Sequence, residues 1–259
     1  VVVMPNYMQL HGLAPRLGAT LREVWLHEDQ GWRLALDRLR AAMSPRTKVV
    51  CVCTPNNPTG QILEAAELDE IARVAAASGA WVLSDEVYRG AEHDAVESAS
   101  FWGRYERTIV TGGLSKAYGL PGLRIGWIVA PPERIAAASA MKDYTTIAPA
   151  TLSELIAASG LRRREELLAR ARGILNARWP VVETWARAHG GRLHWTSPRA
   201  GAICFVGYSY PVDSWPFVEK LIRERSTMIV PGAHFHAERH LRIGFGIPEA
   251  KLRAGLAEL

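Results

Sequence analysis

Lys116 lies in "GGLSKAYGLPGLRIGW", residues 112 to 127, in a chain that holds 26 arginines and only 5 lysines. An arginine keeps its proton at any ordinary pH, whereas a partly buried lysine can lose it and act as a nucleophile or base. Glycines 112, 113 and 119 keep the backbone low around this amine, and Arg124 follows eight residues later. In "SDEVYRG", residues 84 to 90, an apolar run ends on Asp85, and a buried carboxylate there requires a cationic partner. Tyr88, three residues on, can reach the same place. The alternative reading is a helix N-cap by Ser84 or Asp85. "TPNNPTG", residues 54 to 60, leaves the Asn57 amide at a strand end between two prolines, or is simply a polar turn. In "LRIGFG", residues 241 to 246, Arg242 interrupts an apolar segment and needs an anion, for which a substrate carboxylate is a good bidentate match.

These segments sit among short apolar runs at 1–4, 48–53, 80–85, 107–112 and 126–130, which read as buried strands. Between them lie helical patterns. The clearest spans Ala65 to Ser78, with Leu68, Ile71, Ala72 and Ala75 on one face and Gly79 as its stop. Such alternation predicts an α/β fold with a mostly parallel sheet flanked by helices. In open sheets of that kind ligands bind at strand ends, which is where the four segments fall. After about residue 150 the pattern changes. A long helical stretch from Leu161 to His189, broken or kinked near Pro180, leads into strands at 202–206, 228–230 and 241–245, a helix at Trp215–Arg225 and a closing helix. This end reads as a smaller C-terminal α+β domain. The division is placed at residues 1–170 and 171–259.

With 259 residues, 48% of them hydrophobic, the chain can bury a sizeable core. The formal net charge of +5 is spread along it; the run Arg162, Arg163, Arg164 meets Glu165 and Glu166 at once and reads as a solvated helix start. No nucleic-acid or membrane partner is expected. Cys51, Cys53 and Cys204 have no zinc spacing, and a reduced, cytoplasmic setting accounts for them. His234, His236 and His240 crowd one loop without a matching Cys, Asp or Glu pattern, so no metal site is expected.

Taken together, "NNPTG", "SDEVY", "SKAYGLPGLRIGW" and "VPGAHF" followed by "LRIGFG" resemble, in order and spacing, the class I and II aminotransferases. These are fold-type I enzymes that use pyridoxal 5'-phosphate (PLP), and the resemblance covers essentially the whole chain. It implies that Lys116 is the Schiff-base lysine and proton carrier, that Asp85 pairs with the pyridine nitrogen, and that Asn57 and Tyr88 hydrogen-bond the 3'-oxygen. Arg124 and Ser115 fall at phosphate-binding positions, Arg242 at the substrate-carboxylate position, and Tyr7 where an aromatic ring stacks on the cofactor. A tyrosine merely ending a strand is the alternative for Tyr7.

The family usually has a serine three residues before its lysine, where this chain has Gly113. The chain begins in a strand and without Met, and the family's N-terminal portion is expected to be absent from it. The function implied is amino-group transfer from an L-amino acid to a 2-oxo acid, with a homodimer sharing the site. A lyase or cyclase of the same fold, or the PLP-binding effector domain of a transcription regulator, are the alternatives. The stretch that the resemblance implies lies near the substrate, "KDYTTIAPAT" at 142 to 151, offers Lys142 as its only cation, which does not favour a dicarboxylate.

Overall fold

The computed structural model describes residues 1–259. Five parallel strands form most of a six-stranded sheet: β1 (Val2–Met4), β2 (Glu23–Trp25), β3 (Val49–Cys53), β4 (Trp81–Asp85) and β5 (Thr108–Gly113). The sixth, β6 (Gly126–Val129), runs antiparallel to β5, and the spatial order is β2-β1-β3-β4-β5-β6. The crossovers are carried by α1 (Met8–Arg16), α2 (Leu36–Ala42) and α3 (Ala65–Ser78). Parallel neighbours require such long connections, which explains the alternation read from the sequence.

Helix α3 has the expected bounds. The Glu67 carboxylate accepts the Glu64 N–H at 2.7 Å at its start, and Gly79, at φ 67°, ends it in the left-handed conformation open to glycine. Leu68, Ile71, Ala72 and Ala75 are buried, and pack with Val50, Val52, Val82 and Phe101 into a core beneath the sheet. At the β5–β6 pairing Gly112 lies opposite Trp127, whose indole occupies the space a side chain at 112 would take. That close approach explains one glycine of the "GG" pair.

The chain continues through α4 (Pro132–Lys142) and α5 (Thr151–Arg162) into α6 (Arg164–Arg187). The helical stretch from Leu161 is thus two helices, with a break at Arg163 and none at Pro180, through which α6 runs. A second sheet is antiparallel, in the order β7-β8-β10-β9, formed by β7 (Leu193–Trp195), β8 (Ile203–Tyr208), β9 (Val230–Pro231) and β10 (His240–Gly244). Helix α7 (Ser214–Arg225) and the closing α8 (Glu249–Ala257) pack on it. Buried residues of this sheet, α6 and the Lys116 loop, among them Leu168, Leu175, Val206, Phe245, Leu114 and Ala117, form one continuous cluster. Strands β2 and β7, three residues each, carry too little alternation to read from sequence. No helix is long and apolar enough to cross a membrane.

Candidate active site

The order β2-β1-β3 reverses the direction of sheet growth at β1, so the loops leaving β1 and β3 diverge and leave a crevice at their carboxyl ends. Two asparagines shape it. Buried Asn56 donates from Nδ2 to the Pro5 carbonyl at 3.2 Å, and its Oδ1 accepts the Thr59 hydroxyl at 2.7 Å, which ties the two loops together. Asn57, also buried, is left to its neighbour across the crevice: its Oδ1 accepts a hydrogen bond from Arg242 Nη1 at 3.0 Å. Tyr7 stands half exposed on the β1 side, just before α1.

Asp85 ends β4 opposite Thr111 of β5. Its Oδ1 accepts the Thr111 hydroxyl at 3.1 Å and the Val87 N–H at 3.3 Å, while Oδ2 has no donor within the chain. The backbone then makes a turn, and no helix follows for Ser84 or Asp85 to cap. Burial pushes the Asp85 carboxyl above its ordinary pKa, opposed by the Val87 and Thr111 hydrogen bonds and by the nearby Lys116 charge. Lys116 is exposed, on the loop after β5, with Nζ 6.0 Å from the centre of the Tyr88 ring. Tyr88 is buried; desolvation, reinforced mainly by Cys53, raises its phenol pKa well above the usual value. Two buried carboxylates hold the loop that carries it. Glu86 accepts the Phe101 N–H at 2.8 Å, and Glu92 accepts the Gly90 N–H at 2.8 Å and the Ser98 hydroxyl at 2.7 Å.

Arg242 is half-buried on β10, with its guanidinium carbon 5.4 Å from the centre of the Phe235 ring. Desolvation lowers its pKa. It makes no ion pair with any carboxylate of the chain, and a partly desolvated cation in that state is suited to an incoming anion.

The structure thus gathers Asn57, Asp85, Tyr88, Lys116 and Arg242 around the carboxyl ends of β3, β4 and β5, with Tyr7 close enough to influence Tyr88. Ser115 and Arg124 share no hydrogen bond or ion pair with them. The Ser115 hydroxyl has no protein partner, and Arg124, exposed at φ 55°, donates to the Pro121 carbonyl at 2.9 Å. Three residues went unmarked in the sequence. Thr111, whose hydroxyl holds Asp85, was hidden in an ordinary strand, and Phe235 in a motif read only as a whole. Gly201 lies with φ 79° against the Tyr88 ring, and its contact is not local in sequence. The histidine loop disperses: His234 packs on Trp215 and His236 on His11, while His240 turns elsewhere.

The donor set fits pyridoxal 5'-phosphate. Asp85 Oδ2, free of protein donors, is an anion for a protonated ring nitrogen, and Lys116 is the amine for the aldehyde. Asn57 Nδ2 and the Tyr88 hydroxyl have no protein partners and can donate to a ring oxygen. Ser115 and Arg124 keep free donors for a phosphate.

The family model for aminotransferase class I and II matches residues 1–259. The chain is 35% identical to capreomycidine synthase of Streptomyces vinaceus, over the whole of this chain and 67% of that protein. It is 31% identical to aromatic-amino-acid aminotransferase 2 of Thermococcus litoralis, over 90% of this chain and 62% of the relative. Among solved structures, a PLP-dependent aminotransferase from Streptococcus suis superposes with a TM-score of 0.92 at 31% identity, covering 99% of this chain and 68% of that one. Thermus thermophilus aspartate aminotransferase with maleate gives 0.91 at 28% identity, with 99% and 68% covered. The chain therefore spans about two thirds of the length of these relatives. With residues 1–259 matched by the family model and the fold of its members reproduced over 99% of the chain, the chain belongs to the class I and II aminotransferases, whose cofactor is pyridoxal 5'-phosphate.

Proposed function

We propose that the protein is an amino-acid aminotransferase that moves an amino group from an L-amino acid to a 2-oxo acid, with Lys116 as its covalent and proton-carrying residue. The observation that carries this reading is the pairing of an exposed amine, Lys116, with a desolvated carboxylate, Asp85, at adjacent strand ends. When bound, pyridoxal 5'-phosphate supplies the electron sink that lets a bond to the substrate α-carbon break. Asp85, steadied by Thr111, holds the positive charge at the ring nitrogen. Asn57 and Tyr88 would hydrogen-bond the ring oxygen, Tyr7 would pack against the ring, and Ser115 and Arg124 would hold the phosphate. Arg242 grips the substrate α-carboxylate and orients the α-carbon. Lys116 Nζ takes the proton from that carbon and returns it on the other side of the transfer, a role closed to arginine.

The same reading places the large PLP-binding domain at residues 1–170 and the small domain at 171–259, a boundary that falls within α6. It makes the protein a cytoplasmic homodimer. Tyr144, Ile147, Leu152 and Leu155 are more than 60% exposed on one stretch of chain around α5, an apolar surface suited to being covered. A second reading, a PLP-dependent lyase or cyclase, is favoured by the 35% identity to a protein named as a synthase. Arg242, which keeps the carboxylate, suits both.

The experiment is an absorbance spectrum of the purified chain with PLP, beside Lys116→Ala. A visible band that requires Lys116, bleaches with an L-amino acid and is restored by a 2-oxo acid supports transfer. Bleaching followed by product release with no demand for an oxo acid supports the second reading. Absence of a lysine-dependent band would overturn both.

A further inference from the structure

Away from Lys116, three side chains from distant parts of the chain converge on one point. Glu28 comes from a single 3-10 turn after β2, His194 from β7 and His240 from β10. His194 Nδ1 lies 2.8 Å and His240 Nε2 3.0 Å from the same oxygen, Glu28 Oε2, and all three ligand atoms fall within 4.8 Å of one another. We propose that Glu28, His194 and His240 form a binding site for one divalent transition-metal ion of the zinc class, tying the parallel sheet's β2 loop to the antiparallel sheet.

Several independent features point the same way. Strand β8 runs between β7 and β10, and its Gly207 is the cross-strand partner of both His194 and His240. Residues so paired share one face of the sheet, and two imidazoles two strands apart can meet only if the residue between them leaves room. Gly207 leaves it: the His194 ring lies where a side chain at 207 would begin. The glycine is a cradle for the imidazole pair.

His240 is also held in one orientation. Its Nδ1 faces the Glu238 carbonyl, an acceptor, at 3.0 Å, which leaves Nε2 as the nitrogen turned to Glu28 Oε2. Donation of the second ring nitrogen to a backbone carbonyl is the usual support of a metal-bound histidine. The ring is further fixed by Phe205, stacked at 4.7 Å, and by Trp32, edge-on at 5.8 Å. Trp32 follows the turn that carries Glu28 and sits at φ 59°, a strained conformation for a bulky residue, which needs surroundings that enforce it. Glu28 Oε1, finally, is buried without any donor and is available as a further ligand atom.

Two imidazole nitrogens and a carboxylate are a ligand set for Zn²⁺, with Co²⁺ binding in the same geometry. Tetrahedral coordination places ligand atoms roughly 3.3 Å apart, so the oxygen–nitrogen pairs need to open by only a few tenths of an ångström. The fourth position is left to water. The three positions lie too far apart in sequence to show a ligand spacing; of the loop histidines 234, 236 and 240, His240 alone belongs to the cluster.

The test is a Zn²⁺ titration of the full chain against a chromogenic chelator, with and without PLP, repeated with Co²⁺ while its visible d–d bands are followed. Thermal midpoints are recorded with and without Zn²⁺. One equivalent should bind per chain and raise the midpoint, because an ion that binds only the folded state stabilises it. His194→Ala, half exposed and therefore safe for folding, and Glu28→Gln should each weaken binding at least about tenfold, since even outer partners of metal ligands are worth 10–100-fold. Gly207→Ala should weaken it too, and His234→Ala should leave it unchanged. Binding no tighter in the unaltered chain than in His194→Ala, or weakened equally by His234→Ala, would overturn the site.

Discussion

Arg242 Nη1 and Asn57 Oδ1 lie 3.0 Å apart, a contact across 185 residues that links β10 of the antiparallel sheet to the loop after β3 of the parallel one. The amide occupies one edge of a guanidinium that has no carboxylate of its own. Arg242→Lys keeps the charge and loses the planar fork. A hydrogen bond to a charged group is worth about 1.5–3 kcal/mol, so the amino-acid concentration that half-bleaches the cofactor band should rise roughly 10- to 100-fold. The band without substrate should stay. A spectrophotometric titration checks both.

Asp85→Asn separates the stability of the chain from its cofactor affinity. Burial raises the Asp85 pKa, so folding favours the neutral carboxyl. The penalty is absent below the unfolded carboxyl's range, appears as pH rises through it, and is complete above the raised folded value. Cofactor-free Asp85→Asn should therefore melt higher than the unaltered chain at pH 7 and equally at pH 3, since the amide oxygen can still accept from Thr111 and Val87. Its affinity for PLP should fall, because a neutral amide cannot hold a protonated ring nitrogen. Melting curves and a PLP titration on one preparation give both signs.

Thr111→Val tests the same carboxylate from its other side. Removing a donor from the charged form raises the pKa of Asp85 further. As the buffer is acidified, PLP should leave Thr111→Val at a higher pH than it leaves the unaltered chain. The band's pH profile is the measurement, and coincident profiles would show that the hydroxyl does not support Asp85.

Gly201→Ala places a side chain at φ 79° with its first carbon 3.1 Å from Tyr88 Cδ1. A strained backbone position costs about 1–3 kcal/mol. The urea midpoint should drop accordingly at an unchanged slope, and the PLP band should shift as the Tyr88 ring is displaced.

Much of this was legible because the signals were local. The Ala65–Ser78 helix carries its stop at Gly79, Asp85 ends an apolar run, and Asn57 and Lys116 follow one within a few residues, so their place near strand ends could be read. Pro180 misled: proline removes a hydrogen bond from a helix, yet the buried faces of Leu175 and Val182 on either side hold α6 together. The Glu28, His194 and His240 cluster could not be read, since tertiary approach alone defines it. Arg124 and Ser115 were assigned by motif, and no hydrogen bond or ion pair joins their side chains to the rest of the site.

Helix α6 lays Leu168 against Gly90, just beyond Tyr88, and two turns later lays Leu175 beside Gly246, just beyond Arg242. In the same packed cluster stand Leu114 and Ala117, on either side of Lys116. Leu168 and Leu175 of one rod therefore bear on the segment that carries Tyr88 and on the strand end that carries Arg242, so a change in the bulk of either reaches both halves of the site through one helix.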